Sequence, residues 1–482
     1  MNPSIVWFRQ DLRLHDNPAL DAAVRQLGPI LPLFIWSPSE EGDWPPGEAS
    51  QWWLHQSLAA LDKELQKKGS RLLVQKGDTA QILKKLIKKT NAAAVFWNRR
   101  YEPAAVARDA QIKCELHSLK IDVESFNAAM LYEPWEIANK QNKPFLVFTP
   151  FWNYYLSLQN PLPPLPAPAK LPFPSTWPES LSLGDLQLKP FIDWAAGFRE
   201  TWSPGWQGAE HALADFLNQR LYDYKANRDL PDTIGTARLS PHLHFGEISP
   251  RHIWHAVQER LREEKRLSEP AWSFLRQLVW REFAHHLLFH FPHTATQPLR
   301  ADFESFPWKN SQPQLRAWQK GRTGYPIVDA GMRELWHTGW MHNRVRMIAA
   351  SFLVKDLLLP WQEGARWFWD TLVDADLANN SMGWQWVAGC GADAAPYFRI
   401  FNPVLQGEKF DPQGHYIRRW IPELSQLPTK WIHKPWQCPL NEQRRYGLVL
   451  GETYPEPTVD HSLARDRALT AFNQIKSRKI RE

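Results

Sequence analysis

Five short apolar runs alternate with amphipathic segments over the first 130 residues, and this alternation limits the folds open to the chain. We predict strands over residues 4–8, 30–36, 71–75, 94–97 and 122–126. Between them, apolar residues recur at helical spacing, as in the segment that ends at Gly69 and the one that follows Asp78. Strands that alternate with helices form a parallel sheet, because parallel neighbours need a crossover connection. We therefore predict an α/β domain over residues 1–130, with a parallel, five-stranded, Rossmann-like sheet.

A proline-dense segment follows, reading PLPPLPAPAKLPFPSTWP over residues 161–178. Proline fixes φ and lacks an N–H donor, so this density blocks both helices and sheet ladders. Helical periodicity then dominates, with predicted helices at 208–220, 250–264, 270–290, 313–320, 327–337, 341–356, 362–372 and 464–476. The pattern predicts a connector over residues 131–204 and an all-α C-terminal domain over residues 205–478.

The composition bounds the classes of protein to which the chain can belong. The 482 residues carry a net charge of +6, which permits a polyanionic partner, and 27 tryptophans, whose flat rings can stack on bases or carry electrons. Three cysteines without a CxxC pair give neither a disulfide framework nor a cysteine metal cage. The sequence shows no signal peptide and no apolar run near the ~20 residues of a membrane span. We expect a cytoplasmic protein without a membrane anchor.

The segment DADLANNSMGWQWVAGCGADAAPYFRIFNP, residues 374–403, combines acids, amides, small residues and indoles. Asn, Asp and Gly lower helix propensity, so we do not expect a plain core helix here. Two interpretations remain open. The segment is an irregular buried loop, or it is a pocket floor whose acids and amides face a polar cofactor and whose indoles face a flat group.

Three further motifs carry possible chemistry. Residues 235–241, GTARLSP, can cradle a diphosphate before a helix or form an ordinary capped turn. In FLRQLVWREF, residues 274–283, helical spacing places Gln277, Trp280 and Arg281 on one face, which suits a flat ligand beside a phosphate or a plain surface helix. Asn343 and Met347 share a face in GWMHNRVRM, residues 339–347. We expect no metal site, because His286 and His290 lack a third ligand at metal spacing.

Together with VWFRQDLRLHDNPAL at residues 6–20 and RIFNPVLQGEKFD at residues 399–411, these segments resemble the DNA photolyase/cryptochrome family over essentially the whole chain. The resemblance implies an α/β antenna domain followed by an all-α FAD-binding domain. It also implies a lyase in which light-excited, reduced FAD splits cyclobutane pyrimidine dimers. The implied partner is UV-damaged DNA, bound by a monomer that is nucleoid-associated if the source is bacterial.

The same resemblance implies the role of each site residue. FAD would be held by Tyr224, Thr236, Ala237, Arg238, Leu239, Ser240, Arg346, Asp374, Ala375, Asp376 and Asn380. The pyrimidine dimer would contact Gln277, Trp280, Asn343, Met347 and Trp386, with the two indoles as aromatic walls. DNA would be bound by Arg228, Gln277, Arg281, Asn343, Arg344, Arg399, Gln406 and Lys409. Electrons would reach the flavin through Trp308, Trp361 and Trp384.

The chain departs from the family pattern at several of these positions. Ala237 replaces the usual serine, and Gln277 replaces the glutamate of many dimer-repairing relatives. Enzymes that repair (6-4) photoproducts carry histidines where this chain has Asn343 and Met347, which argues against that activity. A cryptochrome-type photoreceptor and a flavin-storing DNA-binding module remain the alternatives to a repair enzyme.

An antenna chromophore is also implied. SQWWLHQSL near residue 50 and WQWVAGCGADAAPYFRIFNP are most similar to the bacterial class III branch, which implies 5,10-methenyltetrahydrofolate. Ala104 and Ala105 replace the Asn-Glu pair that binds folate in another branch, so a folate would bind elsewhere. The alternative antenna is 8-hydroxy-5-deazaflavin.

Overall fold

The computed structural model of the protein describes residues 2–394 and 398–479, with side chains as far as residue 476; residues 395–397 of the class III-like motif lie outside the described residues. The chain divides into two compact units. The first unit comprises residues 2–222, 237–292 and 373–378, and the second comprises 223–236, 293–372 and 379–479. The boundaries predicted from the sequence, at residues 130 and 204, stay predictions.

A five-stranded parallel sheet lies in the first unit. Its strands are β1 Ser4–Phe8, β2 Ile30–Trp36, β3 Leu73–Lys76, β4 Ala94–Asn98 and β5 Asp122–Phe126, in the order β3-β2-β1-β4-β5. β1, β2 and β4 are buried along their whole length, as expected for a parallel sheet covered on both faces. The predicted sheet is confirmed, and β3 begins two residues later than predicted.

The helices lie between and after these strands. Those that begin before residue 300 are α1 Pro18–Arg25, α2 Glu48–Lys67, α3 Thr79–Thr90, α4 Pro103–Ser118, α5 Phe148–Leu156, α6 Ala196–Thr201, α7 Trp206–Asp215, α8 Tyr224–Asn227, α9 Ser240–His244, α10 Pro250–Glu263 and α11 Ser268–His290. Those that follow are α12 Gln312–Gln319, α13 Pro326–Thr338, α14 Asn343–Ser351, α15 Trp361–Thr371, α16 Leu377–Ala388, α17 Pro403–Phe410, α18 His415–Trp420, α19 Thr429–Ile432, α20 Leu440–Arg445 and α21 His461–Lys479. π-helical turns extend α7 through Arg220 and α14 through Asp356. Among the described residues, no helix is both long and apolar enough to cross a bilayer.

Helix α16 corrects the sequence prediction for the segment after Asp374. Its asparagines and Gly383 disfavour a helix, yet residues 377–388 are helical. The reason is tertiary packing in the second unit. The Trp384 ring lies directly against Gly364 of α15, where an added Cβ would come within 2.0 Å of the ring. Burial of an indole outweighs the propensity differences, which are below about 1 kcal/mol per residue.

Helix α14 begins at Asn343 because His342 caps it. The His342 side chain accepts a hydrogen bond from the Arg344 N–H at 3.2 Å, and only 3% of the residue is exposed. Burial lowers the pKa of His342 to about 4, despite the opposing charge of Asp229. Arg344 and Arg346 lower the pKa further. The cap therefore requires a neutral imidazole, since a protonated Nδ1 cannot accept.

We predict that the free energy of unfolding decreases as the pH falls from about 6.5 towards 4. Burial also lowers the pKa of His286 and of His433 to about 4, so all three histidines take up protons on unfolding in this range. His342→Asn keeps a capping oxygen but has no group that titrates in this range. It should therefore reduce the slope of the unfolding free energy against pH by up to about 1.4 kcal/mol per pH unit. Urea unfolding between about pH 7 and 4.5 measures the slope, with the exposed His117→Asn as control. A slope in His342→Asn equal to that of the control would contradict the prediction.

Candidate functional site

The Asp376 carboxylate lies between two histidines in the first unit. His285 Nε2 is 3.5 Å and His244 Nδ1 is 3.8 Å from Asp376 Oδ2, and the three side chains are 11% exposed or less. Burial alone would raise the pKa of Asp376, but His285, His244 and Arg281 outweigh it and hold the pKa well below its usual value. Asp376 is therefore an ionised acceptor at neutral pH, matched to a partner that offers N–H or O–H donors.

Contacts within the first unit hold the positions of both histidines. His285 Nδ1 lies 3.0 Å from the Arg281 carbonyl oxygen one turn earlier on α11. His244 ends α9, and the turn after it is anchored because Trp53 Nε1 donates to the buried Glu247 at 2.9 Å. Gly246 in that turn has φ +63° and approaches the Gln10 backbone, which leaves no room for a Cβ. Sequence reasoning missed both histidines.

The predicted face of α11 carries Gln277, Trp280 and Arg281, but their surroundings differ. Trp280 stacks on Phe148 with ring centroids 3.6 Å apart and planes 5° apart, so one face of the indole is already covered. Gln277 Nε2 donates to the Ser273 carbonyl at 3.3 Å, which leaves its Oε1 without a hydrogen bond among the described residues. Arg281 donates to the Ala129 carbonyl at 2.7 Å and is 12% exposed. This internal bond already uses part of the donor capacity that Arg281 could offer to a phosphate.

The segment before α9 fits a phosphate group. Arg238 has φ +51°, and Leu239 at the N-cap offers no side-chain acceptor to the first helical N–H groups. Backbone donors with the Ser240 hydroxyl form a donor set of the kind that binds phosphate oxygens. The other predicted FAD residues of this unit, Ala237, Leu239, Asp374 and Ala375, are buried. The donor set and the Asp376 acceptor are therefore chemically suited to the two ends of FAD.

In the second unit, the exposed Asn343 and the half-buried Met347 share the predicted face of α14. Asn343 Nδ2 and Arg344 Nη1 each lie 4.0 Å from Met347 Sδ. Arg344 pairs with Asp229 at 3.1 Å, and Arg228 Nε is 4.0 Å from the same carboxylate. Asp229 therefore neutralises part of the charge that these two arginines could present to DNA.

The remaining predicted contacts of this unit occupy varied surroundings. Arg399 and Lys409 are exposed, Thr236 and Gln406 are half-buried, and Tyr224 is buried under the Arg228 guanidinium. Asn380 Nδ2 donates to the Ala365 carbonyl at 3.0 Å, and the half-buried Arg346 donates to the Met341 carbonyl at 2.7 Å. The predicted pairing of Arg346 with Asp374 stays a prediction.

Four tryptophans of this unit were predicted to act in electron transfer or stacking. Trp384 and Trp361 are 3% and 2% exposed, whereas Trp308 is half-buried. Trp384 lies against Gly364, one turn after Trp361 on α15, and the Lys309 N–H next to Trp308 donates to the Leu358 carbonyl at 2.7 Å. The three indoles thus lie on connected segments that lead from the interior to the surface. Trp386 donates from Nε1 to the Asp393 carbonyl at 3.1 Å.

Comparison with known proteins covers nearly the whole chain. Residues 4–169 match the model of the DNA photolyase family, and residues 274–474 match the FAD binding domain of DNA photolyase. A deoxyribodipyrimidine photo-lyase from Agrobacterium fabrum is 49% identical over 98% of both chains. Cryptochrome-1 from Arabidopsis thaliana is 42% identical, over 98% of this chain and 70% of its own.

A solved structure gives the same result. The crystal structure of a bacterial class III photolyase from Agrobacterium tumefaciens superposes with a TM-score of 0.95 at 48% identity, over 99% of this chain and 98% of that one. The predicted fold class, an α/β N-terminal domain followed by an all-α FAD-binding domain, is thereby confirmed. The chain belongs to the DNA photolyase and cryptochrome family.

Proposed function

We propose that this chain is a deoxyribodipyrimidine photo-lyase that repairs cyclobutane pyrimidine dimers in DNA under blue light. The observation that carries the proposal is the 49% identity, over 98% of both chains, to a protein of that name. When bound and reduced, FAD would supply the light-driven electron chemistry that opens the cyclobutane ring. No net oxidation or reduction occurs, so the protein's task is to bind, orient and exclude water.

The first unit supplies groups suited to both the flavin and the lesion. Asp376, held ionised by His244 and His285, accepts from the donor groups of FAD, and the backbone before α9 binds its phosphates. The face of Trp280 that Phe148 leaves open stacks on an extruded base. The free Oε1 of Gln277 accepts from a pyrimidine N–H.

The second unit supplies lesion contacts, charge and electrons. Asn343 hydrogen-bonds the base edges, Met347 packs beside it, and Trp386 offers an indole for stacking on the lesion. Arg344, Arg399, Gln406 and Lys409 contact DNA phosphates, with Arg228 at the same rim. The series Trp384, Trp361 and Trp308 delivers the electron that activates oxidised flavin.

The antenna in this proposal is 5,10-methenyltetrahydrofolate, as the class III resemblance implies, with 8-hydroxy-5-deazaflavin as the alternative. Ala104 and Ala105 open α4 without an amide or a carboxylate, so a folate needs another site. The proposed enzyme is a cytoplasmic monomer. A second candidate function, a cryptochrome-type photoreceptor, is favoured by the 42% identity to Arabidopsis cryptochrome-1.

The first prediction from this function is light-dependent loss of cyclobutane dimers without loss of (6-4) photoproducts. The reason is that Asn343 and Met347 occupy the positions where (6-4) enzymes carry histidines. DNA that contains both lesions is illuminated with the reduced holoprotein, and each lesion is counted against a dark control. Repair of (6-4) photoproducts would contradict the assignment of substrate. No dimer loss with reduced FAD bound would support the photoreceptor instead.

A second prediction concerns Gln277. Gln277→Glu should raise the affinity for the dimer and the repair yield per absorbed photon several-fold, because a carboxylate accepts about twice as strongly as an amide oxygen. Gln277→Ala removes the acceptor and should lower both quantities. Binding titrations and quantum-yield measurements compare the two variants with the parent protein. If Gln277→Glu leaves both quantities unchanged or lower, the amide is not a weaker substitute for a carboxylate.

A third prediction separates the phosphate contacts by accessibility. Lys409→Ala and Arg399→Ala should each reduce the slope of log affinity against log salt by about one unit, because both side chains are exposed. Lys88→Ala on the solvated face of α3 is the control for loss of one charge. Arg344→Ala should have a smaller effect, since Asp229 already pairs with Arg344. Equal slopes for Lys409→Ala, Arg399→Ala and the control would contradict this DNA-binding rim.

A further inference from the structure

A surface cavity of about 280 Å³ lies beside Trp308 in the second unit. Its walls include the Trp308 indole, the aliphatic side chains of Leu315 and Leu359, and the polar side chains of residues 310–312. Lys309 and Glu363 contribute one charge of each sign. The volume lies just below the usual range for ligand pockets, roughly 300–1,000 Å³, so only a small metabolite fits.

The cavity is tied to the tryptophan series by the backbone. The Lys309 N–H donates to the Leu358 carbonyl at 2.7 Å, and Pro360, which lines the cavity, directly precedes Trp361. One turn later, Gly364 contacts the Trp384 ring. The cavity therefore opens at Trp308, the outermost indole of the proposed series.

The two charged side chains of the cavity differ in how far a neighbour compensates them. Lys309 is exposed, and no carboxylate of the described residues lies within ion-pair distance of its ammonium group. Glu363 lies 3.8 Å from the Arg366 guanidinium on the same helix, so its charge is partly compensated. The uncompensated ammonium attracts a small anion, and the amides of Asn310 and Gln312 offer hydrogen bonds to hydroxyl groups.

We propose that this cavity binds a small anionic enediol reductant of the ascorbate type, which returns an electron to oxidised Trp308. The proposal rests on the proposed function, because it requires the tryptophan series to donate to the flavin. The enediol monoanion gives one electron to the Trp308 radical cation and one proton to the solvent. The products are the neutral indole and the enediol radical anion, so atoms and electrons balance. Binding beside the indole makes this step effectively unimolecular.

The test is flash photolysis of the holoprotein with oxidised FAD, following the decay of the tryptophan radical against ascorbate concentration. If ascorbate binds in the cavity, the decay rate of the radical should saturate as the ascorbate concentration rises. Lys309→Glu should raise the half-saturating concentration about ten-fold or more, because it replaces attraction by repulsion. Lys320→Glu, the same charge reversal on an exposed lysine just after α12, is the matched control and should change little. Gln312→Phe fills the cavity without adding a redox-active ring and should abolish saturation.

The same measurement is repeated with a neutral thiol as the electron donor in place of ascorbate. Its reaction should not saturate and should not respond to Lys309→Glu. A linear dependence on ascorbate, or equal effects of the two lysine variants, would overturn the proposal. The proposal would also be overturned if ascorbate did not change the decay rate of the tryptophan radical in the parent protein. The same holds if the saturable dependence on ascorbate persisted in Trp308→Phe.

Repair by chemically reduced holoprotein is measured in the same samples. That activity needs no electron from Trp308, so it should be unchanged in Lys309→Glu. If repair is present while the radical kinetics fail, the docking site alone is wrong. If repair is absent, the proposed function is wrong.

Discussion

A carboxylate buried in the first unit sets the strongest constraint on this structure. Asp376 is 11% exposed, and an ionised carboxylate without partners would be costly at that burial. His285 from α11 and His244 from α9 lie within 4 Å of it, so the positions of both helices and of the segment before α16 depend on one another. With these partners the pKa of Asp376 stays well below its usual value, so the ionised carboxylate can accept hydrogen bonds. The family model identifies FAD as the cofactor, and the donor groups on its ring and ribityl chain suit such an acceptor.

The second unit depends on a close contact of another kind. Gly364 admits the Trp384 ring against the backbone of α15, and this contact keeps α16 helical despite its asparagines and glycine. The same contact connects Trp384 to the helix that begins at Trp361. At the surface, Asp229 holds Arg344 and limits the positive charge near Asn343. Packing thus orders the proposed electron-transfer residues, and the pairing of Arg344 with Asp229 limits the charge of the proposed DNA rim.

Sequence patterns predicted the parallel sheet and the long helices because both depend on local periodicity. They failed for α16, where a tertiary contact outweighs propensity, and they missed His244 and His285, since a histidine in an apolar helix carries no signal of its partner. The stacking of Phe148 on Trp280 joins residues far apart in the chain, as does the bond from Arg281 to the Ala129 carbonyl. Family resemblance named the site residues, but only the structure shows which of their faces and atoms are still available.

The midpoint potential of bound FAD in the parent protein and in Asp376→Asn tests the central claim most directly. Asparagine keeps the size and one acceptor oxygen while removing the negative charge, and equal FAD content is checked by absorbance. If Asp376 faces the flavin as a carboxylate, its loss stabilises the anionic reduced form and raises the potential. The exposed Asp193→Asn is the control for a remote charge. An Asp376→Asn potential equal to that of the parent and of the control, at full FAD occupancy, would contradict the account.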